Sequence, residues 1–392
     1  MSTSPGVMFR GEFRDLATRD PQQVPQLVAE LLKSAQQAGA SDLHLVPSEA
    51  QLEVHWRIDG VLQPVESFSR SIAANIVARL KVLAELLTYR TEVPQEGRIR
   101  QGETAAEMRV STFPTLFGEK VVVRLFVGSG RYRKLSDLAL PADVESRFAA
   151  ALQERGGLLL VTGPAGSGKT TTVYAGLREL AEQSQGQRSL VSIEDPIEAV
   201  IPGVAQSQVQ PAAGFTYESG LRSLLRQDPD VILVGEVRDR TTAELVFQAA
   251  LSGHLVLSTY HAGTADGALQ RLRDMGIEPY QIKSGLQAVV SQRLLRRLCR
   301  CATVSHREED RLALDVAEVR LPTGCPECRG TGYVGRQVLA EWLDGNSISL
   351  APDGALMPST PDQSPRLFTR GIEAVRRGET SPTEFRRVFG LK

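Results

Sequence analysis

No apolar stretch of this 392-residue sequence is long enough to cross a bilayer. Its longest uninterrupted apolar runs, such as 157–161 and 121–123, are only a few residues long, whereas a spanning helix needs about 20. The first residues, MSTSPGVMFRGEFRD, carry acidic side chains and have no apolar centre, so they are not a secretory signal. We therefore expect a cytosolic chain without a transmembrane segment, whose contacts with a membrane run through partners.

An excess of charge is also missing, because 45 Lys and Arg residues nearly balance 46 Asp and Glu residues. General nucleic-acid binders are usually basic, so this balance argues against direct nucleic-acid binding. Cysteine is scarce, and the four that occur favour a metal site or free thiols over disulfides in a reducing compartment. The length predicts two or three domains, and no repeat of solenoid period is present.

The most informative segment that is present is Gly163-Pro164-Ala165-Gly166-Ser167-Gly168-Lys169-Thr170, which matches G-x-x-x-x-G-K-[ST] at every fixed position. The apolar run 158–161 predicts a strand before it, and a helix is predicted from Thr171 to about 183. In this setting the loop N–H groups and the helix N-terminus, Thr171 included, bind phosphates. Lys169 is expected to reach the β- and γ-phosphates, and the Thr170 hydroxyl to ligate Mg²⁺. The sequence thus predicts that the chain binds ATP with Mg²⁺.

Two segments place acidic residues directly after predicted strands. In 230–236, DVILVGE, an apolar strand delivers Glu236 at its carboxyl end, the edge of an α/β sheet where ligands bind. In 192–198, SIEDPIE, three acids follow a strand, and a proline turn keeps them near the same edge. Because ATP hydrolysis needs carboxylates near Mg²⁺ and the attacking water, both segments are candidates, with turn capping as the alternative for Glu198.

Periodicity divides the chain into two differently built parts. In 51–58 apolar and polar residues alternate, as in a half-buried strand, and helices and hairpins around it predict an α+β unit with an antiparallel sheet. Farther along, short apolar runs alternate with helical stretches, which is typical of a parallel α/β sheet. Strands are expected at 158–161, 189–193, 231–234 and 255–258, and helices near 171–183, 216–227, 240–252 and 264–297.

These patterns give the expected domain organisation. In chain order we expect a flexible lead (1–21), an N-terminal α+β domain (22–130), a linker (131–140), an α/β domain (141–345) with an embedded cysteine motif (299–328), and a C-terminal helical segment (346–392).

Several motifs occur in one order and spacing between about Ser41 and Leu343. They are ASDLH (40–44), RIDG (57–60), RVSTFPTLFGEKVVVR (109–124), the glycine loop, IEDPIE (193–198), GLRSLLRQDPD (220–230), VGEVRD (234–239) and the histidine-bounded 253–261. Together they resemble the secretion ATPases of type II secretion, type IV pili and DNA uptake. That resemblance implies an α/β, RecA-like P-loop ATPase domain preceded by a smaller, PAS-like α+β domain, assembled as a homo-hexamer.

The resemblance also implies roles for individual side chains. Glu198 would be the catalytic glutamate that acts on water, and Glu236 would be the acid near Mg²⁺. Arg109 and Arg124 would reach a γ-phosphate across a domain or subunit boundary, with a surface salt bridge as the alternative for Arg124. Arg98 is a weaker candidate of the same kind.

The histidines that bound the 255–258 strand have two interpretations. By resemblance, His261 would sense the nucleotide from the carboxyl end of the strand. His254 is open between that role and a structural one. Relatives commonly have His-Thr-Asn where this chain has His261-Ala262-Gly263, so a hydroxyl and an amide are missing here.

The cysteines form two tight pairs, Cys299 with Cys301 and Cys325 with Cys328. They resemble the tetracysteine zinc motif of the secretion and pilus-assembly branch, and four thiolates make a closed structural zinc site. The first pair is C-x-C, one residue shorter than the usual spacing, which is expected to strain a tetrahedral site. The alternatives are His306 as a substitute ligand and loss of the metal.

The predicted function is a cytoplasmic hexameric motor ATPase at the inner membrane that drives assembly of a type II secretion pseudopilus or a pilus-like fibre. Its expected partners are inner-membrane platform proteins. A DNA-uptake motor or a pilus retraction ATPase is the alternative within the family, and a nucleic-acid translocase is the alternative from another class. Since only about 20 residues precede the first predicted helix, we also expect a short form without the extra N-terminal domain of longer relatives.

Overall fold

The computed structural model describes residues 21–99, 108–125, 134–350, 356–358 and 365–390. The predicted flexible lead up to residue 20, part of the predicted linker (131–133) and parts of the predicted C-terminal segment lie outside the described residues.

The chain divides into two compact units, one made of 1–128, 296–304 and 320–335, the other of 129–295, 305–319 and 336–392. The cysteine segments thus group with the first unit, whereas the expected domain bounds followed chain order.

The first unit packs two helices with a six-stranded antiparallel sheet of order β3-β2-β1-β6-β5-β4. The predicted alternation in β2 is present, since Leu52, Val54 and Trp56 are fully buried while their neighbours are half-buried. Its elements are α1 (Val24–Gln37), β1 (Asp42–Pro47), β2 (Gln51–Ile58), β3 (Val61–Ser69), α2 (Arg70–Leu83), β4 (Gln95–Ile99), β5 (Met108–Thr115) and β6 (Gly118–Arg124).

A buried ion pair lies inside this unit. Lys81 of α2 is 0% exposed, and its Nζ donates to Glu119 Oε1 at 2.7 Å and to Glu119 Oε2 at 2.9 Å. The same ammonium donates to the carbonyl of Arg90 at 2.7 Å. The pair therefore joins the end of α2 to the start of β6 and to the loop before β4.

The second unit is built on a seven-stranded sheet of order β15-β12-β7-β11-β10-β8-β9, parallel from β12 to β9. Its first elements are α3 (Ala142–Ala151), β7 (Gly157–Thr162), α4 (Lys169–Ser184), β8 (Leu190–Glu194), β9 (Ala205–Gln208), α5 (Tyr217–Leu224), β10 (Val231–Val234), α6 (Arg240–Leu251), β11 (Leu255–Tyr260), α7 (Ala265–Asp274) and α8 (Pro279–Gly285). The chain continues through β12 (Leu286–Leu298), β13 (Thr303–Ser305), α9 (Glu308–Arg311), β14 (Val319–Leu321), β15 (Tyr333–Asp344), β16 (Ile348–Leu350), β17 (Leu356–Pro358), α10 (Leu367–Arg376) and α11 (Pro382–Phe389).

Helices cover both faces of this sheet, which explains its nearly continuous apolar strands. In β7, Leu158 and Leu160 face one core, while Leu159 and Val161 face the other. The predicted α/β class with a parallel sheet after an α+β unit is therefore confirmed.

One predicted element is wrong. Where one helix was expected over 264–297, the structure has two short helices, α7 and α8, and from Leu286 the chain continues as strand β12 beside β7. In β12, Ala288, Val289 and Val290 are all fully buried. An apolar run buried on both sides has no period of its own, so pairing with β7 decides its structure.

A buried carboxylate fixes the start of the C-terminal helices. Glu341 of β15 is 3% exposed, and its Oε1 accepts from the N–H of Ala265 at 3.1 Å. Its Oε2 accepts from the N–H of Leu367 at 2.9 Å, so one side chain caps both α7 and α10. No helix among the described residues has the length and apolarity needed to span a membrane.

Candidate active site

The glycine loop 163–168 connects β7 to α4 at the carboxyl edge of the parallel sheet. Gly168 has a φ of +89°, a conformation that favours glycine. A Cβ on Gly163 would lie 2.4 Å from Ser167 Oγ and 2.5 Å from the carbonyl oxygen of Gln292. The loop therefore needs glycine at both positions, as expected of a loop whose N–H groups surround a phosphate.

Lys169, the first residue of α4, turns its ammonium back into this loop. Its Nζ donates to the carbonyl oxygens of Gly163 at 3.1 Å and Pro164 at 3.0 Å. Burial lowers the pKa of Lys169, while the charges of Glu236 and Glu198 raise it. Because both hydrogen-bond partners are backbone carbonyls, a phosphate can replace them without breaking an ion pair.

The other residues of the loop add polar groups around the ammonium. Ser167 is 2% exposed, and its hydroxyl is buried without a hydrogen-bond partner among the described residues. Thr170 and Thr171 are half-buried in the first turn of α4, while Pro164, Ala165 and Gly166 are exposed. An orphaned hydroxyl beside a buried ammonium fits a site for phosphate oxygens and Mg²⁺.

Gln292 holds the loop from β12, a role that the sequence analysis missed. It is 0% exposed, and its Nε2 donates to the carbonyl of Ser167 at 2.7 Å. Its Oε1 accepts from the hydroxyl of Thr172 at 3.0 Å. The amide thus joins the loop to the first turns of α4. A polar residue inside the apolar run of β12 was the available signal.

Glu236 lies at the same edge, just beyond β10. Its carboxylate accepts a hydrogen bond from Arg238 and lies 3.7 Å from Nε2 of His261. Arg238 also lies 3.5 Å from Asp195, so it bridges the two acidic segments. Burial and the charge of Lys169 lower the pKa of His261, although Glu236 opposes them. The structure therefore brings Lys169, Glu236 and His261 together, as predicted from the sequence.

Glu198 lies in the irregular segment after β8. Its side chain is exposed, and its charge raises the pKa of Lys169, so the carboxylate lies within electrostatic range of that ammonium. Its backbone N–H donates to the hydroxyl of Tyr174 at 3.1 Å. The predicted acid is therefore near the loop, held through its backbone.

Behind this segment lies a buried polar network that was not predicted. Glu194, 2% exposed, accepts a hydrogen bond from the Tyr174 hydroxyl. The other oxygen of Glu194 accepts from Ser192 Oγ at 2.6 Å and from Gln206 Nε2 at 3.1 Å. Burial and the charge of Glu194 raise the pKa of Tyr174. The sequence analysis did not single out Tyr174.

The candidate arginines belong to the first unit, where strand register aligns them. Arg98, Arg109 and Arg124 stand directly opposite one another on β4, β5 and β6. Asp42 of β1 and Arg57 of β2 continue the row. Asp42 lies 3.2 Å from Arg124 and 3.5 Å from Arg57, so the salt bridge considered for Arg124 is formed.

This row places four arginines and one aspartate side by side on one face of the sheet. Because the pattern depends on register across β4, β5 and β6, the sequence could show only the individual arginines.

His254 makes local contacts of the kind that its structural alternative requires. Its Nδ1 lies 3.0 Å from the carbonyl oxygen of Ala249 and 3.0 Å from Ser252 Oγ. It precedes β11, so it lies at the opposite end of this strand from His261.

The four cysteines lie together, with their sulfur atoms all within 4.8 Å of one another. Cys299 lies 3.7 Å from Cys325, and Cys301 lies 3.8 Å from Cys328. Sulfurs of a tetrahedral zinc site, with Zn–S bonds near 2.3 Å, are about 3.8 Å apart. The short C-x-C spacing therefore does not keep the thiols apart. His306 is exposed and lies 3.9 Å from Glu318 instead.

The surroundings of one thiol, Cys328, also suit a metal-bound thiolate. Burial opposes ionisation of Cys328, but the N–H groups of Cys325 and Gly332 donate to its sulfur and lower its pKa to about 7. N–H donors to sulfur are what a metal-bound thiolate needs. The four cysteines could therefore bind zinc.

Comparison with known proteins decides the family. Residues 17–387 match the family described as Type II/IV secretion system protein. The chain belongs to this family. Type II secretion system ATPase E of Vibrio cholerae serotype O1 is 41% identical over 388 residues, covering 95% of this chain and 76% of the relative. Type IV pilus assembly ATPase PilB of Thermus thermophilus is 38% identical over 335 residues, covering 83% and 37%.

Solved structures of other ATPases share the fold of this type II/IV secretion family member. The Legionella pneumophila ATPase DotB aligns with a TM-score of 0.66 at 18% identity, over 93% of this chain and 95% of that one, which shows a shared fold. The pilus retraction motor PilT aligns with a TM-score of 0.50 at 27% identity, over 68% and 78%. The predicted family and the RecA-like fold are confirmed, and the chain is an ATP hydrolase.

Proposed function

We propose that the chain is a hexameric motor ATPase at the cytoplasmic face of the inner membrane, which powers assembly of a type II secretion pseudopilus or a pilus-like fibre. The observation that carries the proposal is the clustering of Lys169, Glu198, Glu236 and His261 at one edge of the parallel sheet. The names of the relatives, secretion ATPase E and pilus assembly ATPase PilB, support this use of ATP hydrolysis.

In this proposal the glycine loop holds the triphosphate of ATP, and Lys169 neutralises its outer phosphates. Thr170 and Glu236 would hold Mg²⁺, which supplies further positive charge. Glu198 orients the attacking water. The geometry of the loop and the charges at the sheet edge support these roles.

The arginine row supplies the second half of the proposed site. Arg109 and Arg124, from the same or a neighbouring chain, would contact the γ-phosphate and stabilise the charge of the transition state. The alignment of Arg109 and Arg124 directly opposite each other on neighbouring strands supports this role. We propose that inner-membrane platform proteins receive the movement that ATP hydrolysis drives.

Turnover by site variants tests the proposed roles. Lys169→Ala should abolish steady-state ATP hydrolysis, because the phosphate charge loses its counter-ion. Glu198→Gln should still bind ATP while phosphate release falls roughly 10²- to 10⁴-fold. The controls are Lys33→Ala and Glu218→Gln, which alter exposed members of surface ion pairs. Undiminished phosphate release by Glu198→Gln would refute its catalytic role.

The working assembly is tested separately. Sedimentation with Mg²⁺ and a non-hydrolysable ATP analogue should give six times the mass of the chain. Purified platform proteins should stimulate hydrolysis, whereas DNA should not. Stimulation by DNA alone would favour a nucleic-acid translocase instead.

We further propose that Cys299, Cys301, Cys325 and Cys328 hold a structural Zn²⁺. The sulfur separations of 3.7–3.8 Å support it. Metal analysis of the purified protein should find about one zinc per chain, and a Cys328→Ser variant should lose it. Full zinc content in the variant would contradict the assignment.

A further inference from the structure

We propose that Tyr174 is a positioning residue for ATP hydrolysis, which fixes the backbone of Glu198 relative to the phosphate-binding helix. The inference rests on the proposed catalytic role of Glu198. Tyr174 itself is 3% exposed and therefore does not contact the nucleotide.

The first step of the argument is the direction of the two hydrogen bonds at the phenol. The Tyr174 O–H donates to Oε2 of Glu194. Its oxygen then has lone pairs available and accepts the backbone N–H of Glu198 at 3.1 Å. A phenol can serve a carboxylate and an N–H at once only in this arrangement. The hydroxyl is thus the link between a fixed carboxylate and the proposed catalytic residue.

The second step concerns the fixed end of that link. Glu194 is the last residue of β8 and is 2% exposed. Its Oε1 accepts from Ser192 Oγ at 2.6 Å and Gln206 Nε2 at 3.1 Å, which holds the carboxylate in one orientation. Its second oxygen therefore offers the phenol a charged acceptor in a set position.

The third step concerns the backbone segment that contains Glu198. Residues 195–201 form neither helix nor strand, and their backbone is held by hydrogen bonds to side chains. Gln206 accepts from the N–H of Ile201 at 2.7 Å and donates to the carbonyl of Ala199 at 3.0 Å. At Glu198 the hydrogen bond comes from α4, the helix that begins with Lys169. The hydroxyl of Tyr174 thus sets the distance between the loop that binds phosphate and the acid proposed to act on water.

The last step is the energetic consequence. Misplacing a reacting group by about 1 Å can cost around 100-fold in rate without affecting ground-state binding. Loss of the hydroxyl should therefore lower kcat and leave KM for ATP nearly unchanged. The Tyr174 ring packs in the apolar core of the second unit, so phenylalanine keeps that packing.

The experiment measures kcat and KM for ATP with the full chain. Tyr174→Phe should lower kcat by about 10- to 100-fold and change KM by less than about twofold. The control is Tyr280→Phe, which deletes an exposed phenol hydroxyl in α8, before the start of β12 and away from the glycine loop. Its kcat should stay within about twofold of the unmodified chain. A second variant, Glu194→Gln, replaces the charged acceptor at nearly constant volume and should lower kcat with KM unchanged.

A double variant separates positioning from a structural role. In a Glu198→Ala background no carboxylate remains to be positioned, so Tyr174→Phe should cause no further loss of the residual rate. A further loss in that background, or a raised KM, would show that Tyr174 supports the helix itself and would overturn the inference. Unchanged kcat in both Tyr174→Phe and Glu194→Gln would overturn it as well.

The outcomes also separate this inference from the proposed function. If Glu198→Ala is inactive but Tyr174→Phe is fully active, only the inference fails. If Glu198→Ala keeps full activity, the proposed catalytic role fails, and the inference fails with it.

Discussion

Gln292 gives the sharpest test of how the phosphate loop is held. Replacing it with leucine, which has a similar volume, removes two hydrogen bonds, one to the Ser167 carbonyl at 2.7 Å and one from the Thr172 hydroxyl at 3.0 Å. A typical hydrogen bond contributes about 1 kcal/mol net, so the native loop geometry should lose about 2 kcal/mol. If the nucleotide must restore that geometry, its Kd should rise roughly 30-fold.

The assay is titration of the full chain with Mg²⁺ and a fluorescent ADP analogue. Gln287→Leu is the matched control, because it removes the same side chain from the same strand. Gln287 Nε2 donates to the carbonyl of Ala151 at 3.1 Å, which belongs to α3 and not to the loop. The control should bind nucleotide normally. An unchanged Kd in Gln292→Leu, or an equal loss in both variants, would refute the reasoning.

Two further predictions concern buried charge and protonation. Lys81→Met leaves the carboxylate of Glu119 buried without its partner, so the free energy of unfolding, measured by calorimetry on the full chain, should fall by about 3–5 kcal/mol. The double variant Lys81→Met/Glu119→Leu should recover most of that stability. Equal losses in the two variants would contradict the pairing. His261 should titrate below pH 6.5 in a proton NMR series, because burial and Lys169 disfavour its charged form. Near that pH the unfolded chain therefore binds more protons at this histidine than the folded chain does. His261 should thus lower the free energy of unfolding as the pH falls through 6.5 and below. The His261→Gln variant should lack that part of the pH dependence. A midpoint above 6.5 would contradict the assignment.

The sequence predicted those parts of the site that follow from local order. The glycine loop is one continuous segment, and Glu236 follows an apolar strand directly. Because the carboxyl ends of parallel strands lie at one edge of a sheet, residues that are distant in the chain can be predicted to meet there before the packing is known. His261, which directly follows β11, lies at this edge for the same reason.

The missing parts depend on packing. Gln292 lies in a strand that the sequence presented as a helix, so its contact with the loop could not be expected. The arginine row needs the register of three strands, which hydrophobic pattern alone does not determine. Tyr174 lies among apolar residues of α4, where a tyrosine has no distinguishing signal until Glu194 is seen beside it.

The carboxylate of Glu341 has a practical consequence for work on this protein. A chain that ended before Leu367 would lose the N–H group that donates to Oε2 of Glu341, a side chain that is only 3% exposed. The other oxygen, Oε1, would still accept from the N–H of Ala265. The start of α7, which follows the His261 loop, would then be capped by a Glu341 carboxylate with only one of its two hydrogen bonds. For protein engineering, α10 and α11 are therefore part of the folding unit and not a tail that can be trimmed for crystallisation or replaced by a fusion partner.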